Sequence, residues 1–319
     1  MRTDKTPCPA PLSQDIAQGL VRLAGSGCVR FDHDMKAHTT MRVGGSVAAF
    51  VEVTDEAVLA ALLRFLTAHG VPHVVLGNGS NLIVADEGYR GVVLHIGEGL
   101  CAIEDESEGF IAQSGATLAA IARRALDRGL AGLEFASGIP GSLGGAVAMN
   151  AGAYGREMKD VVLTTRCLDQ SGETVVLSGS AHCFGYRHSH IQEADLVVVS
   201  AQLRLEPGDP AAILEAMRDL ARRRADKQPL HLPSAGSTFK RPVGYFSGQL
   251  IETCGLKGMR VGGAQVSETH AGFIVNTGGA TASDVVALVR GVREKVFAET
   301  GVMLEPEVKL LGGDSLCSF

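Results

Sequence analysis

A glycine-rich segment in the middle of the chain, residues 138–155, constrains the fold more than any other part of the sequence. It reads GIPGSLGGAVAMNAGAYG and holds six glycines but no charged residue. Glycine loses more conformational entropy on folding than other residues, so such a cluster is typical of a backbone that turns sharply or lies against a ligand. The sequence therefore predicts a close backbone contact at this point of the chain.

Two further segments share this character, namely TTMRVGGSV (39–47) and LGNGSNLIV (76–84). Each adjoins a predicted strand and offers backbone N–H groups, which can bind phosphate oxygens without a lysine. Any one of the three segments could be an ordinary tight turn. Together they favour a long, phosphate-bearing ligand that crosses more than one β-segment.

The common nucleotide-binding motifs are absent from the sequence. Neither GxxxxGKS nor GxxxxGKT occurs, which excludes a P-loop, and there is no GxSxG elbow of a serine hydrolase. The stretch from Gly77 to Leu82 follows a predicted strand, but it lacks the third glycine of the dinucleotide-binding fingerprint and precedes another strand-like run. A Rossmann-type site is therefore not expected.

The spacing of apolar residues predicts an α+β fold. Helices are predicted over 55–69, 117–128, 209–226 and 281–300, the last with a capping box formed by Thr281 and Asp284. Strands are predicted over 47–53, 73–77, 91–97, 161–168, 174–177, 195–205 and 304–311, with those between 161 and 205 forming an antiparallel meander. Because helices do not alternate strictly with strands, the pattern favours α+β over a doubly wound sheet.

Composition narrows the class of protein. The 319 residues, 45% apolar and 20% charged, predict two or three folded domains, and the net charge of −6 argues against broad nucleic-acid binding. No apolar run is long enough for a membrane span and no secretory h-region occurs, so we expect a cytoplasmic protein with a loose tail over 1–20. The seven cysteines are scattered and form no CxxC pair, so neither a disulfide framework nor a zinc site is expected. His188 and His190 lack an evident carboxylate or cysteine partner, so they are not expected to bind a metal.

Five motifs carry a resemblance that covers almost the whole chain, from about residue 38 to residue 312. They are, in order, LGNGSNLIV, GLEFASGIPGSLGGAVAMNAGAYG, FGYRHS, AGSTFKRP and LEPEV. In this order they closely resemble the UDP-N-acetylenolpyruvoylglucosamine reductase family. The resemblance implies a vanillyl-alcohol-oxidase (PCMH)-type FAD-binding fold in two subdomains, over 21–97 and 98–207, followed by a C-terminal α+β substrate-binding domain over 208–319.

The same resemblance implies FAD as a non-covalent cofactor. The glycine-rich segment would wrap the pyrophosphate and the flavin, and the loop at 77–81 would hold the diphosphate from the other side. The residues expected to contact FAD are Arg42, Gly77, Asn78, Gly79, Ser80, Asn81, Gly138, Ile139, Pro140, Gly141, Ser142, Gly144, Gly145, Asn150, Gly152 and Ala153.

The implied reaction reduces an enol ether, UDP-N-acetylglucosamine enolpyruvate, with NADPH as the hydride donor. Hydride would reach flavin N5 and then C3 of the enolpyruvyl group, so negative charge would develop at C2 and spread into the carboxylate. Such an enediolate needs stabilisation of its charge and a proton at C2.

Three residues at the positions of the family's motifs match those needs. Arg187 would stabilise the carboxylate, although an ordinary ion-paired arginine is the alternative from the sequence alone. Ser237 would donate the proton, whereas its glycine-turn context by itself favours a merely small residue. Glu307 would act as an acid with a raised pKa. Glu305 lies on the same face of an extended backbone, and the family pattern selects Glu307.

The expected substrate contacts lie in the C-terminal part of the chain. Lys240 and Arg241 would offer charge to the substrate's diphosphate or carboxylate, although a solvated surface pair is an equal alternative. Gln265, His270 and Asn276 are further expected substrate contacts. The interval between the catalytic arginine and serine is only 49 residues, which implies the shorter subtype without a tyrosine-bearing lid loop. We expect the protein to be a monomer and to bind no metal ion.

Two other functions remain open at this point. One is an FAD oxidase of the same fold with covalently attached flavin, which the absence of His or Cys between Gly77 and Leu82 disfavours. The other is a non-catalytic protein that binds flavin or a nucleotide sugar. The joint presence of Arg187, Ser237 and Glu307 argues against it, because binding alone has no need of a proton donor.

Overall fold

A computed structural model describes residues 12–313 of the chain. Five of the eight helices described begin at a residue that caps them: the side chains of Ser13, Asp55, Thr117, Asp209 and Thr281 each accept a backbone N–H of the first turn. The helices are α1 Gln14–Ala24, α2 Glu56–Ala68, α3 Leu118–Asp127, α4 Leu143–Ala148, α5 His190–Glu193, α6 Pro210–Lys227, α7 Ser247–Thr253 and α8 Ala282–Thr300. None of these helices is long and apolar enough to cross a membrane.

The strands are short and numerous. In chain order they are β1 Val29–Asp34, β2 Ser46–Val53, β3 His73–Leu76, β4 Leu82–Val84, β5 Tyr89–Ile96, β6 Ile103–Glu106, β7 Gly109–Gln113, β8 Leu130–Ala131, β9 Gly152–Ala153, β10 Arg156–Glu157, β11 Val162–Leu168, β12 Thr174–Ser178, β13 Val197–Arg204, β14 Glu206–Pro207, β15 Ser234–Ser237, β16 Arg260–Val261, β17 Ala264–Val266, β18 Phe273–Asn276 and β19 Lys309–Leu311.

The first sheet has the strand order β1-β2-β5-β3, in which β1 is antiparallel to β2 and the other pairs are parallel. Leucines of α2 pack on this sheet and form one core with α1. The tail expected over 1–20 is therefore wrong in its second half, since α1 occupies Gln14–Ala24 and its Leu20 is fully buried. Residues 1–11 of that expected tail lie outside the described residues.

The second sheet is antiparallel throughout, with the order β12-β11-β13-β7-β6. The expected meander is wrong in its order, because β11 lies between β12 and β13 and pairs with both. Helices α3 and α4 cover this sheet and share a core with it that includes Phe110 and Leu143. The core of the first sheet also takes in Leu168 of β11 and Val197 and Val199 of β13, so the two sheets pack against each other.

The third sheet, β15-β18-β17-β16, packs against α8. The predicted capping box of α8 is confirmed, with Asp284 N donating to Thr281 Oγ1 and Thr281 N donating to Asp284. The expected strand over 304–311 is reduced to β19, which pairs in parallel with β4 of the N-terminal region. Pro306, which has no N–H for a ladder, makes only an isolated bridge to Phe239.

Candidate functional site

Two cavities meet at the 77–81 loop. The smaller, of about 270 Å³, lies between the first two sheets and is lined among others by Gly77, Ser142, Gly144 and Gly145. The larger, of about 690 Å³, also contains Gly77 and opens towards the third sheet. Its lining includes His38, Thr39, Arg42, Asn78, His95, Pro140, Pro233 and Ser234.

The loops 77–81 and 138–145, here called the cradle, lie face to face. A Cβ added to Gly77 would stand 2.2 Å from Ser142 Oγ, and one added to Gly141 would stand 3.8 Å from Ser80 Oγ. Gly79 has φ +59°, and a Cβ there would stand 2.0 Å from the carbonyl oxygen of His38. Gly77 therefore lets Ser142 of the opposite loop approach, and Gly79 lets the backbone of His38 approach, where a Cβ would prevent both contacts.

The two cavities beside the cradle contain polar groups that need a partner. Thr39 Oγ1 and Ser114 Oγ are buried, and neither has a hydrogen-bond partner among the described residues; Thr39 lines the larger cavity and Ser114 the smaller. Arg42 lines the larger cavity and forms no ion pair within the described chain. Buried polar groups are normally hydrogen-bonded. An elongated ligand with phosphate and carbonyl oxygens, such as FAD, fits these groups.

Arg187, Glu307 and Ser237, here called the Arg187 cluster, come from three distant parts of the chain. Arg187 Nε donates to Glu307 Oε1 at 2.8 Å, and Arg187 Nη2 donates to the carbonyl oxygen of Gly152 at 3.2 Å. The backbone N–H of Glu307 donates to the carbonyl of Thr238, the residue after Ser237. Asn81 of the cradle donates from Nδ2 to the Glu307 carbonyl at 3.2 Å. The structure thus joins the Arg187 cluster to the cradle.

Glu307 lies in an environment that raises its pKa. Its side chain is only 12% exposed, and burial raises the pKa of Glu307 above its usual range, although the nearby charges of Arg187 and Lys240 lower it. Glu305, by contrast, is exposed and pairs with Lys240 Nζ at 2.5 Å. The two glutamates thus differ in burial and in partner, and the role of Glu307 as the acid of the site stays a prediction.

Other predicted site residues make contacts within the protein. Asn276 is buried, and its Nδ2 donates to the Met41 carbonyl at 3.2 Å, which anchors the segment that carries Arg42. Gln265 bonds within its own hairpin, to Gly258 and Arg260. Direct substrate contact by these two residues stays a prediction.

His270 and Arg241 also have partners in the C-terminal region. Gly272 N donates to His270 Nδ1 at 3.0 Å, and burial lowers the pKa of His270. The Arg241 guanidinium lies 3.9 Å from the ring centroid of Phe246, and the Arg241 N–H donates to Tyr186 Oη. Arg241 therefore lies beside the turn that carries Arg187.

Several residues that line or support the cavities are not among those predicted from the sequence. Thr39, Ser114, His38 and His95 line them, and Arg224 of α6 donates to the carbonyl of Gly138. Thr39 lies inside a segment that the sequence had marked. The other residues stand in no recognisable sequence motif, because the packing of distant segments decides whether they reach a cavity. Among the described residues, no group of three His, Cys, Asp or Glu side chains is placed to hold a metal ion.

The fold and the cradle define a class of protein, the FAD-binding oxidoreductases of the vanillyl-alcohol-oxidase type. A family model described as an FAD binding domain matches residues 47–178. A wild-type Phl p 4.0202, a glucose dehydrogenase, superposes with a TM-score of 0.50 at 14% identity over 91% of this chain and 64% of its own, which is a likeness of fold.

Sequence similarity identifies the family within that class. A model described as UDP-N-acetylenolpyruvoylglucosamine reductase, C-terminal domain, matches residues 228–311. Enzymes with that name from Clostridioides difficile and Agathobacter rectalis are 45% and 48% identical, over 95% and 88% of this chain and 99% and 93% of their own. The crystal structure of such an enzyme from Thermus caldophilus has a TM-score of 0.76 at 35% identity, covering 89% of this chain and 98% of that one. The chain belongs to the UDP-N-acetylenolpyruvoylglucosamine reductase family.

Proposed function

We propose that this protein reduces UDP-N-acetylglucosamine enolpyruvate to UDP-N-acetylmuramate, with NADPH as the hydride donor, in the synthesis of peptidoglycan precursors. The observation that carries the proposal is the meeting of Arg187, Glu307 and the Ser237 strand beside the cradle. An anion-stabilising group, a buried acid and a hydroxyl are the set that an enediolate requires.

FAD would be held by the cradle. The N–H groups of 77–81 and the Thr39 and Ser114 hydroxyls would bond its oxygens, and Arg42 would balance its charge. When bound, FAD supplies the hydride that it has accepted from NADPH to C3 of the enolpyruvyl group.

Arg187 would stabilise the negative charge that develops on the substrate carboxylate. Its Nε and Nη2 are held by Glu307 and Gly152, while its Nη1 bonds to no described residue. A guanidinium fixed in this way presents its remaining N–H donors in a defined direction. Such preorganised charge is effective because it needs no reorganisation during the reaction.

Ser237 would donate the proton to C2. It lies at the end of β15 after Gly236, which has φ +76°, and its Oγ donates to the Phe239 carbonyl at 3.2 Å. In its protonated form, Glu307 would donate to the enolpyruvyl carboxylate, in keeping with its buried position and raised pKa. Lys240 and Arg241 would bind the substrate's diphosphate or carboxylate.

We further infer a monomer in the bacterial cytoplasm, where nucleotide-activated sugars are made. Size-exclusion chromatography with light scattering tests the monomer directly.

Covalent attachment of the flavin, the property of the rival oxidase, is tested by acid precipitation. A histidine can carry a covalently attached flavin, and His38 and His95 line the larger cavity, so the test could detect such a bond. We expect all the flavin to remain in the supernatant, as a non-covalently bound cofactor would.

An anaerobic spectroscopic experiment tests the function. The flavin of the purified protein should bleach on addition of NADPH, and its absorbance should return when UDP-N-acetylglucosamine enolpyruvate is added. Ser237→Ala should bleach normally and recover more slowly by about 10²–10⁴-fold, since it lacks the proton donor. Ser283→Ala, an exposed serine at the start of α8, is the matched control and should recover at the normal rate. A flavin that ignores the enolpyruvyl substrate would refute the assignment.

A further inference from the structure

The turn at 148–152 and the loop at 185–192 are joined by hydrogen bonds at alternate residues of the turn. The Ala148 carbonyl accepts Ser189 Oγ at 2.7 Å and Gln192 Nε2 at 2.6 Å. Asn150 Nδ2 donates to the Gly185 carbonyl at 2.9 Å, and the Gly152 carbonyl accepts Arg187 Nη2. The turn is the end of the glycine-rich segment, whereas the loop carries Arg187.

Asn150 lies at the centre of this junction. It is fully buried, lines neither of the two cavities, and bonds only to protein: besides Gly185, its Nδ2 donates to Glu157 Oε2 at 3.0 Å and its Oδ1 accepts Lys159 N at 2.9 Å. Both N–H bonds of its amide are thus used. The side chain of Asn150 is enclosed by protein, and the cofactor contact expected for this residue from the resemblance stays a prediction.

We propose that Asn150 is the positioning residue for Arg187: its carboxamide fixes the loop at Gly185, two residues before the guanidinium that bonds Glu307. This inference rests on the proposed function of Arg187 and goes beyond it. Arg187 has φ +55°, a conformation that is unfavourable for arginine and that persists only where the surroundings hold it. The bond from Asn150 to Gly185 supplies such a constraint immediately before the strained residue.

Asn150→Gly is the main test variant. Asn150 has φ +43°, which glycine adopts without strain, so the substitution removes the carboxamide and keeps the backbone conformation. Asn150→Asp is the second variant, for use if the glycine variant does not fold. It keeps the volume and tolerates a left-handed conformation, but it replaces the donor that faces Gly185 and Glu157 by an oxygen. Thr281→Ala, which loses the distant cap of α8, controls for general destabilisation.

The two half-reactions separate positioning from general damage. In Asn150→Gly we expect reduction of the flavin by NADPH to change less than about 3-fold and reoxidation by the enolpyruvyl substrate to fall about 100-fold, the loss typical of a misplaced group. In an Arg187→Ala background, Asn150→Gly should add less than about 2-fold, because its effect passes through Arg187. Equal losses in both half-reactions, or fully additive losses, would overturn the proposal.

A second readout does not depend on turnover. Arg187 and Lys240 are the charged groups that face Glu307, and Arg187 lowers its pKa. If Asn150→Gly releases Arg187, the pKa of Glu307 rises further, which a carboxyl carbon NMR titration detects; the Glu307→Gln spectrum identifies the resonance. An unchanged titration would overturn the role of Asn150. A wild-type flavin that the enolpyruvyl substrate fails to reoxidise would instead defeat the proposed function, and the titration would still decide the role of Asn150.

Discussion

The cradle offers mainly backbone N–H groups from two glycine-rich loops, whereas the Arg187 cluster offers side chains from positions 187, 237 and 307. In the cradle, each loop presents its proposed ligand-binding groups in a few consecutive residues, and a Cβ at Gly77 or Gly79 would collide with Ser142 or with the His38 backbone. In the cluster, no single segment carries all of the proposed catalytic side chains, since Arg187 and Glu307 are 120 residues apart. The difference shows that a site built from backbone groups can be recognised in a short stretch of sequence, whereas a site built from side chains depends on how the domains assemble.

The largest effect is expected in the cluster, at Glu307. Because the pKa of this carboxyl is raised and its protonated form is the proposed donor, reoxidation of the flavin should slow as the pH rises through that pKa. Glu307→Gln cannot donate a proton in the same way, so reoxidation below that pKa should fall by about 10²-fold or more and lose this pH dependence. Stopped-flow reoxidation rates across pH measure both.

Glu305→Gln provides the matched control for that change. Glu305 is two residues away but exposed, so this variant should keep the pH dependence of the wild type. If it abolished the dependence, the assignment of the acid to Glu307 would be wrong. The dependence should also be missing from the half-reaction with NADPH, which needs no carboxyl proton.

The next largest effect is expected in the cradle, at Gly79. In Gly79→Ala, the positive φ and the contact with the His38 carbonyl together cost about 3 kcal/mol, or about 100-fold in Kd for FAD. Flavin fluorescence titration of the apoprotein measures that Kd. Gly27→Ala is the control, since an added Cβ there meets no atom within 4 Å. Wild-type affinity in Gly79→Ala would mean that the cradle does not hold the cofactor.

The smallest effect is expected far from both regions. Thr281→Ala removes the N-cap of α8 and should lower the free energy of unfolding by about 1 kcal/mol, measured by urea denaturation. Its flavin affinity and both half-reactions should stay as in the wild type. A change in either would show that the two regions respond to stability in general and cannot be compared as separate sites.

Strand pairing shows where prediction from the sequence reaches its limit. The antiparallel character of the strands between 161 and 205 was predicted, but β11 rather than β12 became the central partner. Alternating apolar residues fix which face of a strand is buried, yet they do not fix its neighbour. The helix at Gln14–Ala24 was missed for a related reason, because its stability depends on burying Leu20 against the first sheet.

The sequence by itself determined the helices at 55–69, 117–128, 209–226 and 281–300, the α+β class, and the glycine-rich loops, since each depends on interactions among near neighbours in the chain. Its ordered motifs also indicated the family, which the comparisons confirmed. Only the tertiary structure decided that Arg187 bonds Glu307, that Asn150 bonds Gly185, and that Thr39 and Ser114 are buried without hydrogen-bond partners among the described residues. The physical reason is that burial and hydrogen-bond geometry depend on which distant segments pack together, and no local pattern of residues specifies that packing.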